Sequence, residues 1–294
     1  MANNQYQIQW FPGHMAKTRR LIAESLSQVD IVLELLDARI PASSKNPEIE
    51  KLLGNKPTLT LLTKAGMADP AVTALWREDY RRRGKECIGI DSMTGEGISE
   101  MQEAIRRILA EKIARYHDKG MDGRRIKVMM VGIPNVGKSS LINRLAGGKH
   151  AKVENRPGVT LTKQWVSTSI GLSLLDMPGV LWPKFDDAVV GENLAITGAI
   201  RDQILDVEEI AMILCSRLVQ IAPEAFTTRY KLTLDEIEGL DGYDLLELVG
   251  RRRGFLISGG EVNMRRAAEM LLEEFRSVKI GRISLERPKG GSHA

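Results

Sequence analysis

Residues 132–139, GIPNVGKS, follow the apolar run IKVMMV and precede SLINRLAG, where Leu141 and Leu145 recur at helical spacing. A G-x-x-x-x-G-K-[ST] turn between a strand and a helix leaves few folds open. Backbone N–H groups of such a turn, together with the helix N-terminus behind it, point at phosphate oxygens. Gly132 and Gly137 permit the tight backbone. Lys138 is placed to reach between phosphates, and the Ser139 hydroxyl to coordinate Mg²⁺. Asn135, Val136, Gly137, Lys138, Ser139 and Ser140 are the candidate phosphate-side residues.

The surrounding chain fits that turn. Apolar runs at 29–38, 58–64, 86–92, 126–132 and 173–179 read as buried strands. Helix-like segments such as 46–54 and 97–116 alternate with them, which predicts a parallel sheet covered on both faces. A further strand is expected at 163–169, on an antiparallel edge. After Trp182-Pro183 the period becomes helical, as in 207–221 and 263–278. The expected organisation is an α/β domain over 1–182 with an N-terminal arm, then an all-α domain over 183–294.

Composition excludes several classes. With 43% hydrophobic residues the 294-residue chain can bury a sizeable core. No stretch reaches the roughly 18 apolar residues a membrane span needs. The opening MANNQYQIQW has neither signal-peptide nor presequence character. Cys87 and Cys215 match no metal spacing, as suits a reduced cytoplasmic chain. Net charge is only +4, but its distribution is uneven. Residues 200–250 hold 4 basic against 11 acidic side chains, and 251–294 hold 10 against 5. A basic tail beside an acidic stretch suggests one face meant for an anionic partner.

Two downstream segments complete a phosphate switch. In DMPG (176–179), Asp176 can hold Mg²⁺ through water and the Gly179 N–H can meet a γ-phosphate. In NRPGVT (155–160), Thr160 can join the Mg²⁺ shell when a triphosphate is bound.

GIPNVGKSSLIN, RPGVT, DMPGVLWP and QWFPGHMAK together resemble the YlqF family of circularly permuted GTPases, and the likeness extends to LAITGAIRD and GFLISGG. The resemblance implies a P-loop GTPase whose base-reading segments precede the phosphate loop. It also implies GTP and GDP as ligands, and a helical domain that binds the large ribosomal subunit and its rRNA. Arg251, Arg252, Arg253, Arg265 and Arg266, with the tail through Lys289, become candidate rRNA contacts. Conventional GTPases place a water-orienting Gln after D-x-x-G, where this chain has Val180. The resemblance points instead to His14 in QWFPGHMAK, an imidazole suited to proton transfer near neutral pH. Low intrinsic turnover, stimulated by the ribosomal subunit, is expected. Asn135 has two readings: a ligand for K⁺ beside the phosphates, or a residue suited to the turn.

The base side departs from the family. The guanine reader Asn-Lys-x-Asp aligns with Thr63-Lys64-Ala65-Gly66 in LTKAGMAD. Lys64 can lie along the base and Thr63 can tie loops together, while Gly66 offers no acid for guanine N1–H and the 2-amino group. Ser92 matches the other base-edge segment, although Met93 stands where Ala is usual. Weakened guanine selectivity is expected. A second reading is therefore a nucleotide-gated RNA-binding protein with little hydrolysis. A metabolic kinase fits poorly, because there is no Arg-rich lid segment and no second substrate motif.

Overall fold

The computed structural model describes residues 12–121, 123–148, 164–182, 185 and 187–289, without the side chains of 12–16. Six strands form one sheet: β1 (Ile31–Asp37), β2 (Thr58–Thr63), β3 (Cys87–Ile90), β4 (Ile126–Gly132), β5 (Gln164–Ser167) and β6 (Leu172–Asp176). Their order is β3-β2-β1-β4-β6-β5. All neighbours run parallel except β5, which is antiparallel to β6. The expected edge strand is thus present. The loops after β1, β2, β3, β4 and β6 all leave at the sheet's C-terminal edge.

Every residue of β1 is buried, as an interior parallel strand with both faces covered requires. Side chains alternate between faces, so successive positions join different cores. Ile31, Leu33 and Leu35 pack with α4 (Ile98–Ile108) and α6 (Lys138–Ala146). Val32 packs with α1 (Pro12–Ser25) and α2 (Pro47–Leu53), and Leu36 with α3 (Pro70–Arg82). The helix expected over 97–116 breaks at Leu109 into α4 and α5 (Ala110–Asp118). α5 contains no fully buried residue; Ile113 packs against the core, and Lys112 and the Tyr116 hydroxyl both meet Asp30, just before β1.

The remainder is helical: α7 (Ala188–Ile196), α8 (Val207–Ile221), α9 (Pro223–Tyr230), α10 (Leu234–Ile237), α11 (Gly242–Arg252) and α12 (Met264–Arg276). Side-chain caps define several starts. Asp206 accepts from two N–H groups of α8, and Thr233 with Glu236 forms a capping box on α10. α8, α11 and α12 share a second apolar cluster, which includes Leu214, Leu218, Leu246, Leu271 and Phe275. Glu274 lies buried among them and accepts from Arg229, Arg253 and the Tyr230 hydroxyl. Among the described residues no single helix is long and apolar enough to cross a membrane.

A buried ion cluster joins the two parts. Asp37, at the end of β1, takes a two-pronged contact from the Arg39 guanidinium at 2.9 and 2.7 Å, and a third contact from Lys64 Nζ at 2.8 Å. Arg39 also lies over the Phe275 ring of α12, and its carbonyl accepts from the Leu285 N–H at 2.8 Å. Burial favours the neutral form of Asp37, but Arg39 and Lys64 outweigh it and hold the carboxyl far below the usual range. Asp37→Asn leaves two cations without their partner, at a cost on the order of 3–5 kcal/mol. The melting temperature of the variant is expected to fall by roughly 6–20 °C at neutral pH. Because the folded pKa is depressed, the pair's contribution is complete above the ordinary carboxylate value and is lost only as pH falls below about 4. The gap between wild type and variant should therefore be flat from pH 8 to 5; a gap that closes within that range contradicts the assignment.

Candidate nucleotide-binding site

The turn from β4 to α6 has the backbone its sequence demands. Asn135 is left-handed at φ 56°, a conformation asparagine tolerates, and Gly137 stands at φ 97°. A Cβ on Gly132 would lie 2.8 Å from the Leu35 carbonyl oxygen, so only glycine lets β4 end this close to β1. Ser139 and Ser140 occupy the first turn of α6, where unpaired N–H groups and the helix dipole favour an anion.

The D-x-x-G segment closes against this turn. A Cβ on Gly179 would come within 2.9 Å of the Pro134 backbone, so the two loops touch only because residue 179 is glycine. The Val180 N–H donates to the Gly132 carbonyl at 3.1 Å, which locks their register. Lys138 and Asp176, both buried, form an ion pair of 2.6 Å. The pair uses one oxygen of Asp176, Oδ1, and one of the three donors of Lys138. Val180 is buried with Met177 and Ile22 of α1, and its carbonyl accepts from Asn46 Nδ2 at 3.1 Å. It offers a water nothing. Asn135 donates to the Gly198 carbonyl at 2.7 Å, tying the phosphate loop to the segment after α7.

The base side converges on the same edge. The Thr63 hydroxyl bonds both the Leu36 carbonyl, at 2.9 Å, and the Val136 carbonyl, joining the ends of β1 and β2 to the phosphate loop. Lys64 is left-handed at φ 56°, and its stem passes alongside Gly137. Ser92 is half-buried in the turn after β3, while Met93 is 80% exposed. The loop after β2 is fastened from outside by the C-terminal segment. Arg282 donates to the Ala65 and Ala68 carbonyls, each at 3.0 Å, and Ser284 accepts from the Asp69 N–H.

Thr63, Lys64, Ser92, Asn135, Val136, Gly137, Lys138, Ser139, Ser140, Asp176 and Gly179 thus share one sheet edge. Thr160, the side chain of His14 and the joint at Pro183 lie outside the described residues. The arginines are further away and already paired. Arg251 meets Glu247, Arg252 meets Glu236 and Arg265 meets Glu269, all near the surface, while Arg266 stacks over Phe255. Arg253 differs, because it serves the buried Glu274 and lies over the Tyr230 ring. Sequence reasoning did not single out Asp37 or Arg39. The signal was an acid ending a buried parallel strand, two residues before an arginine.

Comparisons with known proteins agree with this geometry. Residues 127–215 match the family described as "50S ribosome-binding GTPase". The chain is 47% identical to ribosome biogenesis GTPase A of Priestia megaterium, over 96% of this chain and 97% of that protein. It is 45% identical to the protein of the same name from Bacillus pumilus, over 96% and 99%. The crystal structure of GNP-bound YlqF from T. maritima superposes with a TM-score of 0.63 at 27% identity, covering 93% of this chain and 99% of that one. The chain belongs to the ribosome biogenesis GTPase A (YlqF) family, a circularly permuted P-loop GTPase domain followed by an all-α region.

Proposed function

We propose that this chain hydrolyses GTP to GDP and phosphate as an assembly factor for the large ribosomal subunit, its nucleotide state coupled to rRNA binding by the helical region. The observation that carries the reading is the convergence of phosphate loop, D-x-x-G segment and Thr63–Lys64 on one edge, with the C-terminal segment strapped across the base loop. The relatives' shared name supplies the ribosomal context. Division into 1–182 and 183–294, and action in the cytoplasm, belong to the same proposal.

The donor set suits Mg²⁺. Ser139 and Asp176 offer hard oxygens, and among the described residues there is no cluster of three or more metal-binding side chains. That pattern fits an ion bound through one or two protein oxygens plus phosphates. Thr160 would join them with triphosphate bound, and the ion would offset charge on the β- and γ-oxygens. Asn135 holds Gly198 through Nδ2, which leaves its Oδ1 to serve K⁺.

Hydrolysis needs a group to orient water, and buried Val180 is not one. α1 packs through Ile22 against the cluster that holds Val180, and His14 lies two helical turns away, about 12 Å along the axis. The resemblance carried by QWFPGHMAK is what nominates His14 for that role. Arg251, Arg252 and Arg265 are fit to meet rRNA by exchanging surface carboxylates for phosphates at small cost, and Arg266 by leaving the Phe255 ring. Arg253 contributes to the fold, and its replacement by Ala would damage the Glu274 cluster as well as any RNA contact.

Lys138→Ala is expected to abolish tight triphosphate binding, measured by calorimetry, because it removes the cation that meets the β/γ oxygens. Undiminished affinity would remove the phosphate site. His14→Ala should leave affinity near wild type yet lower turnover with large ribosomal subunits by about 10²–10⁴-fold. Wild-type protein whose turnover does not respond to those subunits would favour the gated RNA-binding reading, with Val180 as its reason.

A further inference from the structure

Gly66, where the family's guanine-reading acid belongs, has a carboxylate against it that comes from another loop. A Cβ built on Gly66 would lie 2.0 Å from Asp91 Oδ2 and 3.2 Å from its Cγ. The Asp91 carboxylate thus fills the space into which a side chain at residue 66 would project. Gly66 is not in a left-handed conformation, so backbone freedom does not explain the glycine. The space does. Any residue with a Cβ would push Asp91 aside.

We infer that Asp91 reads the guanine base, supplying from the end of β3 the acid that Gly66 cannot supply from the end of β2. This rests on the proposed GTPase reading and names the specificity determinant of that site. Asp91 follows β3 directly, and β3 pairs with β2 in parallel register up to Thr63↔Ile90. Its side chain therefore leaves the same sheet edge as Lys64, one strand over. Oδ1 is held by the Met93 N–H at 2.7 Å and the Thr94 N–H at 3.3 Å. Oδ2 takes no hydrogen bond from a described residue. One oxygen fixes the carboxylate while the other remains available.

The turn carrying Asp91 is also fixed relative to the phosphates. Arg144, on the helix that begins at Lys138, donates to the Met93 carbonyl at 3.4 Å and the Thr94 carbonyl at 2.8 Å. The helix that offers its N-terminus to the phosphates thus props the loop that meets the base. Guanine presents N1–H and a 2-amino group, both donors, to a carboxylate acceptor. Adenine presents an unprotonated N1 and a C–H there, so the same carboxylate discriminates against it. On this reading the acid has moved, and selectivity is retained rather than weakened.

Binding of GDP, ADP and XDP to the full chain tests this. Wild type is expected to prefer GDP to ADP by at least about tenfold, the value of one charge-assisted hydrogen bond. Asp91→Asn keeps Oδ1 for the turn but adds an amide donor, which opposes the 2-amino group of guanine and suits the 2-oxo group of xanthine. It should lose at least tenfold in GDP affinity and gain in XDP affinity, a switch that loosening of the turn alone would not produce. Adding Gly66→Asp to Asp91→Asn, where the neutral side chain can yield, should restore GDP. An Asp91→Asn protein with wild-type GDP preference and no gain of XDP overturns the inference, as does wild type that binds GDP and ADP alike. Failure here with Lys138→Ala still abolishing triphosphate binding removes only the base reader. Lys138→Ala binding normally removes the nucleotide site itself.

Discussion

The Asp37 carboxylate holds together parts of the molecule that the chain otherwise keeps far apart. It ends the central strand, binds Arg39 through two hydrogen bonds and fixes Lys64 on the base side of the site. Asp37 and Arg39 are each only 2% exposed, so their attraction is little screened and neither can lose its partner cheaply. Arg39 then reaches the helical region through the Phe275 ring and the Leu285 N–H. The Glu286 carboxylate extends the same seam, accepting from the Ala42 N–H at 2.7 Å and from Asn193 at 2.9 Å. Base loop, sheet and helices therefore share one electrostatic anchor.

Around that anchor the phosphate side is built by backbone contact. Gly132 lets β4 finish beside Leu35, and Gly179 lets the D-x-x-G loop lie on Pro134. Neither approach survives a Cβ without backbone movement. Circular permutation leaves these contacts intact, because each loop still leaves the C-terminal edge of its own strand whatever the chain order. The order does decide which segment the switch runs into. Here Val180 and Leu181 run, buried, from Gly179 towards the helices, while Asn135 grips Gly198 beyond α7. The phosphate loop and the helical region are in direct contact.

Much of this was legible in the chain. Apolar runs longer than four residues with alternating helices can bury both faces in few ways. The edge strand expected at 163–169 is present too, with Gln164, Trp165 and Ser167 exposed and Val166 buried. What escaped depends on pairs distant in sequence. Arg251, Arg252 and Arg253 look alike in a basic run, yet Arg253 belongs to Glu274 because α11 and α12 pack together. Gly66 reads in the chain as a missing acid, and the Asp91 carboxylate that fills its space comes 25 positions later, just after the neighbouring strand. The break at Leu109 carries no proline or glycine to announce it.

The proposed function links nucleotide state to the helical region, and Arg282 is a contact able to carry that linkage. One side chain of the C-terminal segment holds two carbonyls of the loop after β2, so a shift of that loop would be passed to that segment. A ligand that favours one arrangement must alter affinity for a partner that favours the other, and the effect is reciprocal. The most direct measurement is the affinity of the protein for purified large ribosomal subunits with GDP and with a non-hydrolysable GTP analogue. It should be made at one salt concentration, since phosphate contacts make the affinity steeply salt-dependent. Affinities in the two nucleotide states are expected to differ by roughly 5–150-fold, the usual range of coupling between sites. Equal affinities in the two states would contradict the linkage.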